Sequence, residues 1–173
     1  MKKIIPAGFL MLTFFMVSAQ EKVNKETQAP IVRWTISNNY SKSNNGQLFI
    51  QLPVQGALSC TVNKTGEAKS FALRNETPKE LPPANYDVTF WGIKIPAVAV
   101  EKRKDTRILA GILNSIVKAP WEVWTSDGIK VYGAGGPKQV ALPPGNYVVK
   151  TGGAEIKTTI WDGKVSIFNF RKD

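Results

Sequence analysis

The chain has 173 residues, a single cysteine, no histidine and a formal net charge of +10. One cysteine excludes an intrachain disulfide, and the absence of histidine excludes Ser-His-Asp and Cys-His nucleophile pairs and any His-containing zinc site. Whatever this chain folds into, burial alone must hold it.

Lys2 and Lys3 precede an apolar stretch over residues 4–17, and Val17-Ser18-Ala19 places small residues where a signal peptidase cuts. The pattern predicts a signal peptide over residues 1–19, removed before Gln20. A spanning helix needs about 20 apolar residues, and this stretch is shorter. A retained N-terminal anchor is the second-ranked alternative, and with no cysteine at the cleavage site no lipid anchor is expected. The mature protein is therefore expected to be secreted or periplasmic, with the charge reduced to about +8 by loss of the two lysines. Export also argues against a nucleic-acid partner. Residues 20–30 are polar and without period, which predicts a loose leader.

From residue 31 the pattern is one of short strands. Val32, Trp34 and Ile36 alternate and are expected to face a core, before an Asn/Ser-rich loop over residues 37–46. Leu48, Ile50 and Leu52 form the next inward row. Leu58, Cys60 and Val62 alternate, and Phe71 and Leu73 return. Cys60 reads as a small packing group. Residues 78–83 are an extended, proline-shaped connection. Tyr86, Val88 and Phe90 point inward with Asp87 and Thr89 opposite. Trp91-Gly92 turns the chain, and Ile93, Ile95, Ala97 and Ala99 continue on the next strand. The triplet Lys102-Arg103-Lys104 with Asp105 reads as a solvated hairpin turn. Residues 108–117 are the one apolar run that a helix would also fit.

Further on, residues 121–125 form a strand, and Ser126-Asp127-Gly128 is a hairpin signal of the Asp-Gly kind. Residues 129–132 return and residues 133–137 break the strand. Gly152-Gly153 makes a further hairpin, and Ala154, Ile156, Thr158 and Ile160 share a face up to Asp162-Gly163. Residues 165–170 close the chain.

One signature occurs twice. Leu-Pro-Pro-Ala-Asn-Tyr at residues 81–86 is followed 61 positions later by Leu-Pro-Pro-Gly-Asn-Tyr at residues 142–147. A fixed internal period marks a duplicated structural unit. Short strands with turns every eight to twelve residues then predict an all-β fold of two tandem small β-sandwich units, either separate or merged around a shared interface. The first spans residues 31–117 with its N-terminal strands, the second residues 118–173. The string Leu-Pro-Pro-Gly-Asn-Tyr-Val-Val at 142–149 resembles the turn of PEGA-type and carboxypeptidase-regulatory-like β-sandwich modules. The resemblance implies a binding, spacing or scaffold element of a bacterial envelope. The first copy departs from it at Ala84, where the glycine is replaced.

No constellation for catalysis stands out. Gly133-Ala134-Gly135-Gly136 runs into Pro137, unlike a phosphate-cradling loop. Asp105, Asp127 and Asp162 sit in turn dipeptides, which their turn chemistry explains. No catalytic residue, metal ligand or cofactor is expected, and a carboxylate-based hydrolase built on Asp127 or Asp162 ranks last. Trp124 shares a row with Glu122, and Trp161 one with Glu155, Lys157 and Thr159. Such aromatics either stack on a ligand or are covered by the neighbouring repeat, and covering is the favoured reading. The candidate ligand-binding residues are Trp124, Trp161, Lys157 and Tyr132. The expected partner is an envelope protein or, as the alternative, a cell-surface polysaccharide or other anionic glycan.

Overall fold

The computed structural model describes residues 32–39 and 43–170. The segments expected to be a signal peptide and a leader, and part of the Asn/Ser-rich loop, lie outside the described residues. Those described are all-β, with fifteen strands and no helix among them. Residues 108–117 are extended, so the helical alternative there gives way.

Strand β1 (Trp34–Asn38) comes first. Seven strands follow: β2 (Gly46–Gln51), β3 (Cys60–Lys64), β4 (Ser70–Ala72), β5 (Lys79–Leu81), β6 (Ala84–Phe90), β7 (Ile93–Val100) and β8 (Lys104–Leu109). Seven more complete the chain: β9 (Gly111–Ser115), β10 (Trp121–Thr125), β11 (Lys130–Ala134), β12 (Lys138–Leu142), β13 (Gly145–Thr151), β14 (Ala154–Ile160) and β15 (Val165–Phe168).

The two sets of seven pair in the same way. In the first, β4-β3-β6-β7 form one antiparallel sheet, while β2 lies between β5 (antiparallel) and β8 (parallel). In the second, β11-β10-β13-β14 form one sheet, while β9 lies between β12 (antiparallel) and β15 (parallel). Register makes individual residues equivalent. Gly46 pairs with Leu81 as Gly111 pairs with Leu142, and Ala84 pairs with Val100 as Gly145 pairs with Ile160. β1 has no counterpart; it is an antiparallel edge strand on β8.

Side-chain bonds repeat too. Tyr86 Oη donates to the Pro82 carbonyl at 2.9 Å and Tyr147 Oη to the Pro143 carbonyl at 2.8 Å. This fastens each Leu-Pro-Pro turn to the strand after it. Thr106 Oγ1 donates to Ala99 O, and Ser166 Oγ to the equivalent Thr159 O. Burial pushes the Tyr147 phenol well above its usual range.

Alternation explains most of the core. One cluster takes Leu48, Ile50 and Ile108 from one sheet and Val62, Val88 and Phe90 from another. The other takes Leu113, Val140 and Phe168 from one sheet and Trp121, Val123 and Val149 from its neighbour. Each such side chain contributes roughly 1.5–3 kcal/mol when fully buried. Cys60 packs in the first cluster, and burial pushes its thiol up to about 12.

Three expectations are corrected. Trp34 and Ile36 are not core, because β1 is an edge strand with all five residues exposed. Residues 102–104 make no hairpin, since β7 and β8 lie in different sheets and the turn carries the chain between them. On β7 the inward row shifts from Ala97 and Ala99 to Val98 and Val100, both buried. A β-bulge opposite Asp87 causes this, with Ala97 at φ 56°, and one extra residue reverses every later side chain.

Asp87 holds that bulge. Its Oδ1 accepts the Ala97 N–H and the Thr65 hydroxyl, and its Oδ2 lies 2.7 Å from Lys94 Nζ. The Lys94 hydrogen bond first, and then the Ala97 N–H, hold the Asp87 carboxyl below its ordinary value. A carboxylate depressed in the fold adds stability above its unfolded pKa and loses it as pH falls through the folded one. Denaturant midpoints are therefore expected to fall as pH drops below about 4, the ordinary Asp range. Asp87→Asn should show a shallower fall over the same pH range. Equal slopes for the two proteins would clear Asp87 of this role.

Candidate binding site

An open cleft of about 500 Å³ lies where the first set of strands meets the second Leu-Pro-Pro turn. β7 supplies Ile93, Lys94, Ile95 and Pro96 along one wall. The turn ahead of β13 supplies Pro143 and Pro144, and the start of β13 supplies Gly145 and Asn146, with Tyr147 behind them. Val32 and Trp34 close one side from the β1 edge, and Thr125, Ser126 and Asp127 of the β10–β11 hairpin form a polar rim. The geometry follows from the local sequence. Two prolines fix an extended approach, the Tyr147 hydroxyl ties down the carbonyl between them, and an apolar surface is left facing β7. Lys94, at the mouth, is already paired with Asp87.

The residues singled out from sequence lie elsewhere and do not form one group. Trp124, Val148 and Lys157 are cross-strand partners in register on β10, β13 and β14, so Trp124 and Lys157 share the outer face of that sheet. Trp124 is half-buried within its own sheet. Its Nε1 donates to Glu122 at 3.0 Å, and Lys150 Nζ sits 4.7 Å from its ring centroid. One face of the indole is thus occupied by a cation. Lys130 first, and then the Trp124 indole, hold the Glu122 carboxyl below its ordinary value. Trp161 is half-buried just past the end of β14, with its carbonyl against Gly111. Tyr132 faces inward and packs edge-on to Trp91 at 4.9 Å and tilted to Trp121 at 5.6 Å.

Sequence reasoning missed the cleft because it assigned Trp34 to the core. Alternation marked a face of this segment but carried no signal that no sheet covers it. Among the described residues, no group of three or more His, Cys, Asp or Glu side chains is placed to hold a metal ion. No helix there is long and apolar enough to cross a membrane.

No family model matches the chain, and no curated protein matches it. Among solved structures, one similar chain is the Bacillus anthracis TIE protein, at 16% identity and a TM-score of 0.30. The match covers 73% of this chain and 34% of that one, so this chain spans about a third of that protein's length. The likeness is too loose to carry an inference.

Proposed function

We propose that this is an exported, non-enzymatic binding or scaffold protein of a bacterial envelope, built from two tandem β-sandwich units merged around a shared interface. The repeated pairing of the two seven-strand sets supports the two-unit reading, and the Leu-Pro-Pro-Gly-Asn-Tyr turn supports a PEGA-like character. The observation that carries the functional reading is the cleft. Its walls are indole, proline and isoleucine, its rim is hydroxyl, carboxylate and amide, and Trp34 stands exposed within it. An apolar floor with a few polar groups at the edge suits an apolar side chain of a protein partner anchored by flanking hydrogen bonds.

The test is capture from solubilised envelope and from envelope polysaccharide by the tagged protein, with Trp34→Ala alongside. Removing an aromatic anchor typically weakens such an interface by about 2 kcal/mol or more, roughly thirtyfold. One stoichiometric protein, lost with Trp34→Ala, is the expected result. Polysaccharide captured equally by wild type and Trp34→Ala, but lost with Trp124→Ala, would move the site to the outer face of β10, β13 and β14.

A further inference from the structure

Two of the sheet edges stand apart. The outermost strands of a sheet leave main-chain groups to be paired or guarded, and open edges are usually guarded by charge, shortness or bulges; on β12 the outer side is also bridged by Ala57. Here β5, β7, β11, β12 and β14 each carry a lysine: Lys79, Lys94, Lys130, Lys138 and Lys157. β4 is only three residues long. β1 (Trp-Thr-Ile-Ser-Asn) and β15 (Val-Ser-Ile-Phe) have neither protection.

The same two strands expose apolar side chains. Trp34 and Ile36 are each 37% exposed, Val165 is 39% exposed and Ile167 is 72% exposed. Main-chain direction then decides what these edges accept. On β1, Arg33 O and Asn39 N–H bond to β8, so by alternation Trp34 and Ile36 turn their N–H and C=O groups to the open side. On β15, Lys164 O and Phe168 O accept from Ile112 and Ile116, so Val165 and Ile167 turn theirs outward. Among the described residues, neither edge has a strand on its outer side.

In both strands, the exposed apolar residues are therefore the ones with outward main-chain groups. In an antiparallel pair, hydrogen-bonded partners hold their side chains on the same face. Setting Ile36 opposite Val165 puts Trp34 opposite Ile167, and all four apolar side chains fall in one row. The first set of strands shows the same kind of join within the chain, where β8, the equivalent of β15, takes β1 along its outer edge.

From this geometry we infer that the β15 edge pairs antiparallel with the β1 edge of a second copy of this chain, with Ile36 opposite Val165. β1 keeps its own β8 partner, so no part of the fold has to open. The resulting sheet runs β5-β2-β8-β1 in one copy and continues as β15-β9-β12 in the next. Because the two joined surfaces differ, the contact is head-to-tail and leaves an unpaired β1 and an unpaired β15 at the ends. A chain of copies follows, and the cleft recurs along it once per copy.

Sedimentation velocity on the purified protein over a concentration series tests this inference. Wild type is expected to shift from monomer to dimer and longer species as concentration rises. Ile167→Lys should stay monomeric throughout while melting at the wild-type temperature. Mixing Ile36→Cys with Val165→Cys under mild oxidation should give a crosslinked dimer absent from either variant alone. A wild-type monomer at every concentration overturns the inference, as does association that survives both Ile167→Lys and Ile36→Lys. Failure to crosslink in the mixture overturns the proposed register. Trp34 belongs to both the row and the cleft, so capture of an envelope partner is read separately with Ile36→Lys and Ile167→Lys, whose positions do not line the cleft.

Discussion

Gly111→Ala is expected to destabilise the protein by about 3 kcal/mol, which for a chain of this size lowers Tm by roughly 6–12 °C. A Cβ at this position would lie 2.3 Å from the Trp161 carbonyl oxygen and 2.5 Å from Ile160 Cγ2. The first of these is backbone at the join between β14 and β15, so it cannot swing aside. Gly46, the equivalent residue in the first set, meets the same obstacle: its Cβ would sit 2.2 Å from the Glu101 carbonyl oxygen and 2.8 Å from Val100 Cγ1. Gly46→Ala should therefore cost about as much as Gly111→Ala. The two glycines let β2 and β9 run close under the turns that carry the chain between sheets. Gly135→Ala is the control, because nothing lies within 4 Å of its added carbon; it should change stability by no more than about 0.5 kcal/mol. Thermal and urea unfolding of the three variants decide the matter. If Gly111→Ala matched Gly135→Ala, the close approach of β9 to the turn would be wrong.

That equivalence was only partly legible in the sequence. The Leu-Pro-Pro-x-Asn-Tyr string revealed the period, because proline and tyrosine are needed wherever the turn occurs and no other residue types replace their geometry. Gly46 and Gly111 carry the same structural demand but sit among ordinary polar and apolar neighbours, so nothing in the sequence marked them as a pair. The spacing between repeats is also uneven. The Ala97 bulge adds one residue to β7 that β14 lacks, and this moves the inward row from Ala97 and Ala99 to Val98 and Val100. Alternation alone gives no sign of such an insertion, since Ala, Val, Ala, Val reads equally well in either phase. Strands far from the bulge were readable because their patterns were unambiguous, as with Leu48 and Ile50 or Val123 and Val149. Trp34 was misjudged for a different reason. Alternation identifies a face, but only strand order tells whether another sheet covers it, and strand order is a tertiary fact.

Trp91→Ala should have the second large effect, and its character should differ from that of Gly111→Ala. Trp91 is the first residue of the β6–β7 turn, and it packs against both hydrophobic clusters. Its Nε1 donates to the Ala141 carbonyl at 2.9 Å, and its ring meets Tyr132 edge-on. Tyr132 in turn leans on Trp121, a fully buried side chain of the second cluster. The chain of rings Trp91–Tyr132–Trp121 thus joins the two sets of strands. Truncating a tryptophan in packed surroundings costs about 3–5 kcal/mol, and the half-buried position of Trp91 favours the lower end. Part of that loss is the Ala141 carbonyl, buried and left without its indole partner. The remainder is contact between the clusters, so the loss should appear as reduced cooperativity as well as reduced stability. Calorimetry is expected to show one transition for wild type and two for Trp91→Ala, each set of strands melting on its own. Trp91→Phe keeps an edge-on ring and loses only the hydrogen bond, so it should cost about 1–2 kcal/mol and leave a single transition. A single, merely lowered transition for Trp91→Ala would mean that Ile112 and Ala141, which pack in the first cluster although they belong to β9 and β12, couple the two sets without the ring.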